Sequence, residues 1–121
     1  MKLKLKRRIN EFKEIFFDFE RKKFIMKCES LEEVRENIDR IDRKIVKLIA
    51  ERSKYVVQAA NFKKNSDDVK APERVDKIIN KVRALANDDG VNPDIVENIY
   101  RTMINSFINF ELSEHEKLNK D

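Results

Sequence analysis

Five charged residues stand out because they fall in or beside apolar helical patterns: Arg35, Arg52, Lys63, Glu73 and Glu111. A cation inside an apolar seam costs desolvation energy unless an anion compensates it. The set therefore predicts a site for a small anionic ligand. The sequence offers no Ser/His/Asp set, no Cys/His pair, no glycine-rich phosphate loop and no carboxylate cluster with metal spacing, which disfavours nucleophilic and metal-assisted chemistry.

The spacing of the cations limits how they can cooperate. On a continuous helix Arg52 and Lys63 lie ~20° from the same azimuth, so both could reach one ligand. Arg35 lies ~25 Å from Arg52 along the axis and on another face. Arg35 therefore cannot join the other two within one chain, but in an antiparallel dimer it could enter the site of the partner.

The composition favours helices and argues against a metal site. One glycine and two prolines among 121 residues leave little material for the turns of a many-stranded β protein. Cys28, the single cysteine, cannot form an internal disulfide, and with His115, the single histidine, it offers too few ligands for zinc. We expect an all-α fold without metal or organic cofactor, and assign neither residue a role.

The first helix is predicted to begin after Ser30, because Ser30 and Glu33 have the spacing of a capping box. The chain contains no glycine or proline between Ser30 and Asp68. We therefore expect the helix to continue to Lys63 or Lys64, before the polar residues 65–68 break it. Its apolar stripe, interrupted at Arg52, consists of Leu31, Val34, Ile38, Ile41, Ile45, Leu48, Val56 and Ala60.

Two more helices follow, which gives a long-short-long domain over residues 30–117 and a tail over 118–121. Pro72 near its first turn and Gly90 at its end delimit the second helix, and Asn92 with Pro93 begins the third. The apolar face of the second helix contains Val75, Ile78, Ile79, Val82 and Leu85. That of the third contains Ile95, Ile99, Met103, Ile104, Phe107 and Ile108, and leads to Glu111.

The length of the first helix predicts a dimer. About 34 residues span ~50 Å, about twice the width of a compact domain of this size. The helix must overhang its own core, and a two-fold partner with the same apolar seam is the commonest way to bury it. We expect an intertwined homodimer.

Residues 1–29 form a basic extension of a different character. Residues 1–27 carry ten Lys/Arg against four Asp/Glu, whereas the remainder carries 17 against 19. Residues 11–26 place phenylalanines among charges and suit a short amphipathic helix. Charges break each apolar run, so we expect neither a secretory signal nor a membrane span, and a cytoplasmic protein. A solvated extension is favoured over one that binds nucleic acid or a membrane.

From residue 31 to 112 the sequence resembles the all-helical chorismate mutases, and among them the isochorismate pyruvate lyases of salicylate biosynthesis. The matching stretches are VRENIDRID at 34–42, AER at 50–52, AANFK at 59–63 and APERV at 71–75, followed by residues 99–111. Their order and spacing over about two-thirds of the chain carry the resemblance. It implies a cofactor-free enzyme for a pericyclic, unimolecular reaction that needs no base and no covalent intermediate.

The resemblance also implies roles for individual residues. Arg52 and Arg35 of the partner subunit would hold the substrate's carboxylates. Lys63 would contact the ether oxygen and stabilise charge on the breaking C–O bond, and Glu73 would bind a ring hydroxyl. Phe107 is predicted to be a substrate-binding residue, although core packing is the favoured interpretation of an apolar side chain there.

Glu111 falls where many members have a glutamine that hydrogen-bonds the ether oxygen. A carboxylate repels that oxygen unless it is protonated or placed elsewhere. Glutamate at this position is more familiar among mutases, whereas Ala71 before Pro72 and Glu73 is typical of the lyases. The combined pattern predicts conversion of chorismate to prephenate, with cleavage of isochorismate to salicylate and pyruvate as the alternative.

Two non-catalytic interpretations stay open. One is a helical dimer that binds nucleic acid or a membrane through its basic N-terminus, which gives no reason to place Arg52 on an apolar seam. The other is a relative that binds chorismate-like ligands without turnover. Only an assay separates the second from an enzyme.

Overall fold

The computed structural model describes residues 2–6, 14–18 and 23–119. Three strands, β1 (Lys2–Lys6), β2 (Glu14–Asp18) and β3 (Lys23–Met26), precede four helices. The helices are α1 (Leu31–Ala60), α2 (Ser66–Lys70), α3 (Pro72–Asp89) and α4 (Pro93–Asn119). The chain divides within α1 into two compact units, Met1–Ser53 and Lys54–Asp121.

The strands of the first unit form an antiparallel sheet in the order β1-β2-β3. The amphipathic helix predicted for residues 11–26 is therefore wrong wherever those residues are described; 11–13 and 19–22 lie outside the described residues. Phenylalanine and isoleucine in β2 and β3 favour strands. The strict alternation of lysine and leucine in β1 is a period-two signal that points to the same structure.

The start of α1 agrees with the predicted capping box. Ser30 Oγ accepts the Glu33 N–H at 3.1 Å, so Ser30 occupies the N-cap position. The Glu33 carboxylate accepts the N–H of Glu29 at 3.0 Å, one residue before the group that the usual box would use. Asn37 Nδ2 donates to the Glu33 carbonyl at 2.9 Å, which adds a side-chain hydrogen bond near the start of the helix.

The apolar stripe of α1 is unburied in the single chain. None of the 30 residues of this helix is buried, and in the first unit Ile38 is 50% and Leu48 62% exposed. An exposed seam of this length is unusual for a monomer, because apolar surface is normally removed from water on folding.

The end of α1 differs from the prediction. The helix stops at Ala60, and the N–H groups of Asn61, Phe62 and Lys63 donate to carbonyls three residues earlier in a tighter turn. Residues 65–68 do interrupt the helix, as expected. They also begin the additional short helix α2, so the domain has four helices where three were predicted.

The core of the second unit lies between α3 and α4. Its buried residues are Ile78, Ile79, Val82 and Ile104, with Val75, Val96, Tyr100 and Ile108 packed against them. Ile104 and Ile108 face this core, whereas Ile95 and Ile99 of the same predicted face are exposed. The predicted stripe therefore combined two faces of α4, since Val96 and Tyr100 are the residues that continue Ile104 toward the N-terminus at four-residue spacing.

The connection between α3 and α4 agrees with the predicted signals. Gly90 adopts φ 74°, and its N–H donates to the carbonyls of Ala86 and Asn87. The Val91 N–H donates to the Ala86 carbonyl at 2.9 Å, which completes a Schellman motif. Asn92 Oδ1 accepts the Asp94 N–H at 2.9 Å and caps α4, as predicted.

A charge network joins α3 to α4 on the surface. Arg83 Nη1 donates to Asp94 Oδ1 at 2.9 Å and to Glu97 Oε1 at 2.8 Å, while Arg101 Nε donates to Glu97 Oε2 at 2.7 Å. The pKa of Glu97 is lowered, most strongly by the hydrogen bond from Arg101 and next by the one from Arg83. The bond to Asp94, followed by that to Glu97, raises the pKa of Arg83.

Candidate active site

Lys63 and Glu111 are the two predicted site residues that the structure places in direct contact. Lys63 Nζ lies 3.1 Å from Glu111 Oε2. Lys63 follows α1 in the turn, and Glu111 lies on α4 two turns after the buried Ile104, at nearly the same azimuth. The carboxylate is therefore on the inward side of α4, and the Glu111 side chain is only 10% exposed, against 23% for Lys63.

This ion pair defines what the site can do chemically. A nearly buried carboxylate needs a charged donor, and Lys63 supplies it. An ammonium group has three N–H donors, so the bond to Glu111 leaves two for a ligand oxygen. The pair therefore presents ammonium N–H donors to a ligand oxygen, beside a carboxylate that can itself accept a hydrogen bond from the ligand.

Phe107 lies on α4 one turn before Glu111 and is half-buried. Residues four apart are neighbours on a helix surface, so its ring belongs to the same side of α4 as the Glu111 carboxylate. This position suits both a wall of the ligand site and a place in the core.

Glu73 is the second residue of α3 and is exposed. It follows Ala71, whose φ of 37° and ψ of 61° are left-handed. The Ala71 N–H donates to the Asp67 carbonyl at 3.0 Å, and its carbonyl accepts the Val75 N–H at 3.1 Å. Ala71 thus ends α2 and begins α3, and this sharp junction fixes the direction in which Pro72 and Glu73 leave the turn.

Arg35 and Arg52 both lie on α1 in the first unit, Arg35 exposed and Arg52 half-buried. The continuous helix keeps them ~25 Å apart along its axis, so they cannot share a ligand within one chain. The helical-phase argument that joined Arg52 to Lys63 assumed one continuous helix, whereas α1 ends at Ala60 and Lys63 follows it in the tighter turn. That the two side chains serve one ligand stays a prediction.

Sequence reasoning missed the residues that organise the turn around Lys63. Asn65 Oδ1 accepts the Asp68 N–H at 3.0 Å, and Asp68 Oδ2 accepts the Lys64 N–H at 3.0 Å. The signal was present, since Asn65 and Asp68 repeat the spacing of Ser30 and Glu33. The polar character of residues 65–68 by itself indicates only a helix break, not the start of α2.

The described residues contain neither a group of metal ligands nor a membrane-spanning helix. No group of three or more His, Cys, Asp or Glu side chains there could hold a metal ion. Across the same residues, each helix is too short or too polar to cross a lipid bilayer.

Comparison with known proteins identifies the family. The family model for chorismate mutase type II matches residues 34–112. Isochorismate pyruvate lyase of Pseudomonas aeruginosa is 35% identical over 81 residues, 67% of this chain and 80% of its own length. Chorismate mutase of Methanocaldococcus jannaschii is 36% identical over 77 residues, 63% of this chain and 78% of its own.

A bifunctional chorismate mutase/prephenate dehydratase of Aquifex aeolicus is 33% identical over 87 residues, which make up 24% of that longer protein. The chain therefore belongs to the type II chorismate mutase family, in agreement with the predicted all-helical domain. The matched region contains the six predicted site residues, whereas the three strands precede it.

Proposed function

We propose that the protein rearranges chorismate to prephenate by holding the substrate in a reactive conformation and stabilising its developing charge. The observation that carries this proposal is the contact between Lys63 and Glu111 inside the region that matches the family. Such a unimolecular rearrangement needs no nucleophile, so shape and charge suffice as catalytic means.

Each cation binds a different part of the substrate. Arg52 and Arg35 of the partner subunit bind the two carboxylates, because a planar guanidinium matches a carboxylate in two parallel hydrogen bonds. Lys63 donates to the ether oxygen, where negative charge grows as the C–O bond breaks. Glu73 accepts a hydrogen bond from the ring hydroxyl, and Phe107 packs against the apolar part of the substrate.

Glu111 lies beside the oxygen that Lys63 contacts in this proposal, because its carboxylate accepts a hydrogen bond from Lys63. The ionised carboxylate pairs with Lys63, which neutralises the cation and places negative charge beside an oxygen that itself becomes negative. A neutral donor at this position would remove that repulsion and add a hydrogen bond to the oxygen.

The active unit is a homodimer. Its support is the exposed stripe of α1, whose members in the first unit are Leu31, Val34, Ile38, Ile41, Ile45 and Leu48. A helix of 30 residues is ~45 Å long and offers a seam that a second, antiparallel copy can cover. Pairing of the two helices brings Arg35 of one subunit toward the middle of the other helix, which completes each site.

Isochorismate pyruvate lyase activity is the second candidate. It is favoured by the similarity to the Pseudomonas aeruginosa lyase and by Ala71 before Pro72 and Glu73. The same carboxylate-binding arginines would serve both reactions, because each substrate has a ring, an enolpyruvyl arm and two carboxylates. Glu111 is the feature that favours the mutase.

The deciding experiment is turnover of the purified protein on chorismate and, separately, isochorismate, with prephenate, salicylate and pyruvate all measured. Prephenate as the main product supports the proposal. Dominant salicylate and pyruvate make the protein a lyase. No turnover of either substrate by an intact dimer refutes the enzyme and promotes a non-catalytic ligand-binding role.

A further inference from the structure

The backbone at Lys63 is held from its C-terminal side by a residue of α2. The N–H of Lys64 belongs to the peptide group that begins at the carbonyl carbon of Lys63. Asp68 Oδ2 accepts that N–H at 3.0 Å. On the other side, the Lys63 N–H donates to the Ala60 carbonyl at 3.1 Å. Both peptide groups that flank Lys63 are therefore fixed, although Lys63 lies outside the regular hydrogen bonding of a helix.

Asp68 is itself fixed in place. Its own N–H donates to Asn65 Oδ1 at 3.0 Å, which caps α2. The next residue, Val69, is 5% exposed and is the buried residue of this short helix. α2 packs on α4, the helix that carries Glu111. Lys63 is therefore connected to α4 in two ways. Its ammonium contacts Glu111 directly, and its backbone is connected through Asp68 to α2, which packs on α4.

We infer that Asp68 is a positioning residue for Lys63: its hydrogen bond to the Lys64 N–H sets the direction in which the Lys63 side chain leaves the backbone. The inference rests on the proposed function of Lys63. A lysine side chain has four rotatable bonds, so its ammonium is aimed accurately only if its backbone is fixed. Displacement by ~1 Å of a group that stabilises a transition state can cost up to about 100-fold in rate.

The chain provides a matched control for this inference. Asp67 has the same charge in the same first turn of α2, but it does not hold the Lys64 N–H. A general effect of negative charge near Lys63 or of the helix dipole would appear at both positions. A positioning effect appears at Asp68 alone.

The test compares Asp68→Ala, Asp68→Asn and Asp67→Ala, each in the wild-type protein and in a Lys63→Ala background. In the wild-type background Asp68→Ala should lower kcat/KM by about 10-fold, whereas Asp68→Asn, which keeps an acceptor oxygen, and Asp67→Ala should stay within about two-fold. In the Lys63→Ala background Asp68→Ala should have no further effect, because the group that it positions is gone.

Equal losses for Asp67→Ala and Asp68→Ala would overturn the inference, as would an undiminished effect of Asp68→Ala when Lys63 is absent. Hydrogen exchange of the Lys64 amide, followed by NMR, provides a readout without turnover. Exchange should accelerate in Asp68→Ala and not in Asp67→Ala or Asp68→Asn. If the protein turned over neither substrate, the proposed function would fail. The exchange measurement would still test whether Asp68 holds the Lys64 N–H.

Discussion

Lys63 Nζ donates to Glu111 Oε2 at 3.1 Å, although 48 positions separate the two residues in the chain. The contact joins the turn after α1 to the inward side of α4. A hydrogen bond between charged groups contributes roughly 2 kcal/mol when it is shielded from water. A ligand that uses Lys63 must therefore keep this bond or replace it, which makes Glu111 the residue that sets the chemistry available to Lys63.

Glu111→Gln should raise turnover of chorismate at neutral pH by about 10-fold. The amide can donate an N–H to the ether oxygen that is proposed to lie beside Lys63, whereas a carboxylate that pairs with Lys63 places negative charge there. The measurement is kcat/KM of both proteins at neutral pH. A loss of turnover would contradict this role and would mean that Glu111 acts by its charge, through Lys63.

Arg52→Ala should lower kcat/KM by at least about 100-fold without unfolding the protein, because it removes the donor pair that is proposed to bind a substrate carboxylate. Arg43→Ala is the matched control, since Arg43 is an exposed arginine of the same helix outside the proposed site. Turnover and thermal unfolding are measured for both. Equal activities of the two variants would show that Arg52 serves the fold rather than the substrate.

Ile45→Glu should dissociate the proposed dimer and abolish turnover together. Ile45 is 46% exposed in the single chain and lies in the α1 stripe, where a buried carboxylate without a partner costs several kcal/mol in each subunit. Lys47→Glu introduces the same residue ~160° away on the helix and should leave the mass unchanged. Sedimentation equilibrium gives the mass. A dimeric Ile45→Glu protein would exclude this face as the interface.

The parts of the fold that sequence predicted correctly depend on short-range signals. Ser30, Gly90 and Asn92 mark helix ends in the structure, because capping requires only residues within a few positions of each other. The end of α1 had no such signal, since residues 61–64 contain neither glycine nor proline. That helix gives way to α2, which buries Val69 and packs on α4, a contact that local sequence does not reveal.

In the candidate site, too, contacts between distant segments were harder to predict than local features. Spacing along one helix predicted that Arg52 and Lys63 serve one ligand, and its premise of a continuous helix does not hold, because α1 ends at Ala60. The pairing of Lys63 with Glu111 depends on how distant segments pack, and only the family resemblance had placed both at one oxygen. The sheet was not predicted for a different reason: phenylalanines among charges also satisfy a helical pattern loosely, whereas the clear alternation in β1 favours a strand.

Ala71→Gly should stabilise the protein by about 0.5 kcal/mol. Left-handed backbone costs a non-glycine residue ~1 kcal/mol or more, and the extra freedom of glycine in the unfolded chain offsets part of the gain. Ala84→Gly makes the same change in the interior of α3 and should destabilise by ~1 kcal/mol. Urea unfolding measures both. Losses of equal size would show that Ala71 is not strained in the folded protein.

Glu97→Gln should remove part of the loss of stability in acid. The folded state lowers the pKa of Glu97 below its ordinary value of 4.5, chiefly through the hydrogen bonds from Arg101 and Arg83. A lowered pKa means that the unfolded chain binds the proton more tightly. The stabilisation is therefore present above the ordinary value and is lost as the pH falls below 4.5 through the lower, folded-state value.

The measurement is urea unfolding of both proteins at a series of pH values from neutral to strongly acidic. The wild type should exceed Glu97→Gln in stability at neutral pH, and the two curves should converge in acid. Added salt should shrink the difference, because Arg83 and Arg101 are accessible to counterions. Glu116→Gln, on the exposed side of the same helix, removes the same charge. It should lose stability in acid as the wild type does. Parallel curves for wild type and Glu97→Gln at every pH would contradict the network's role in joining α3 to α4.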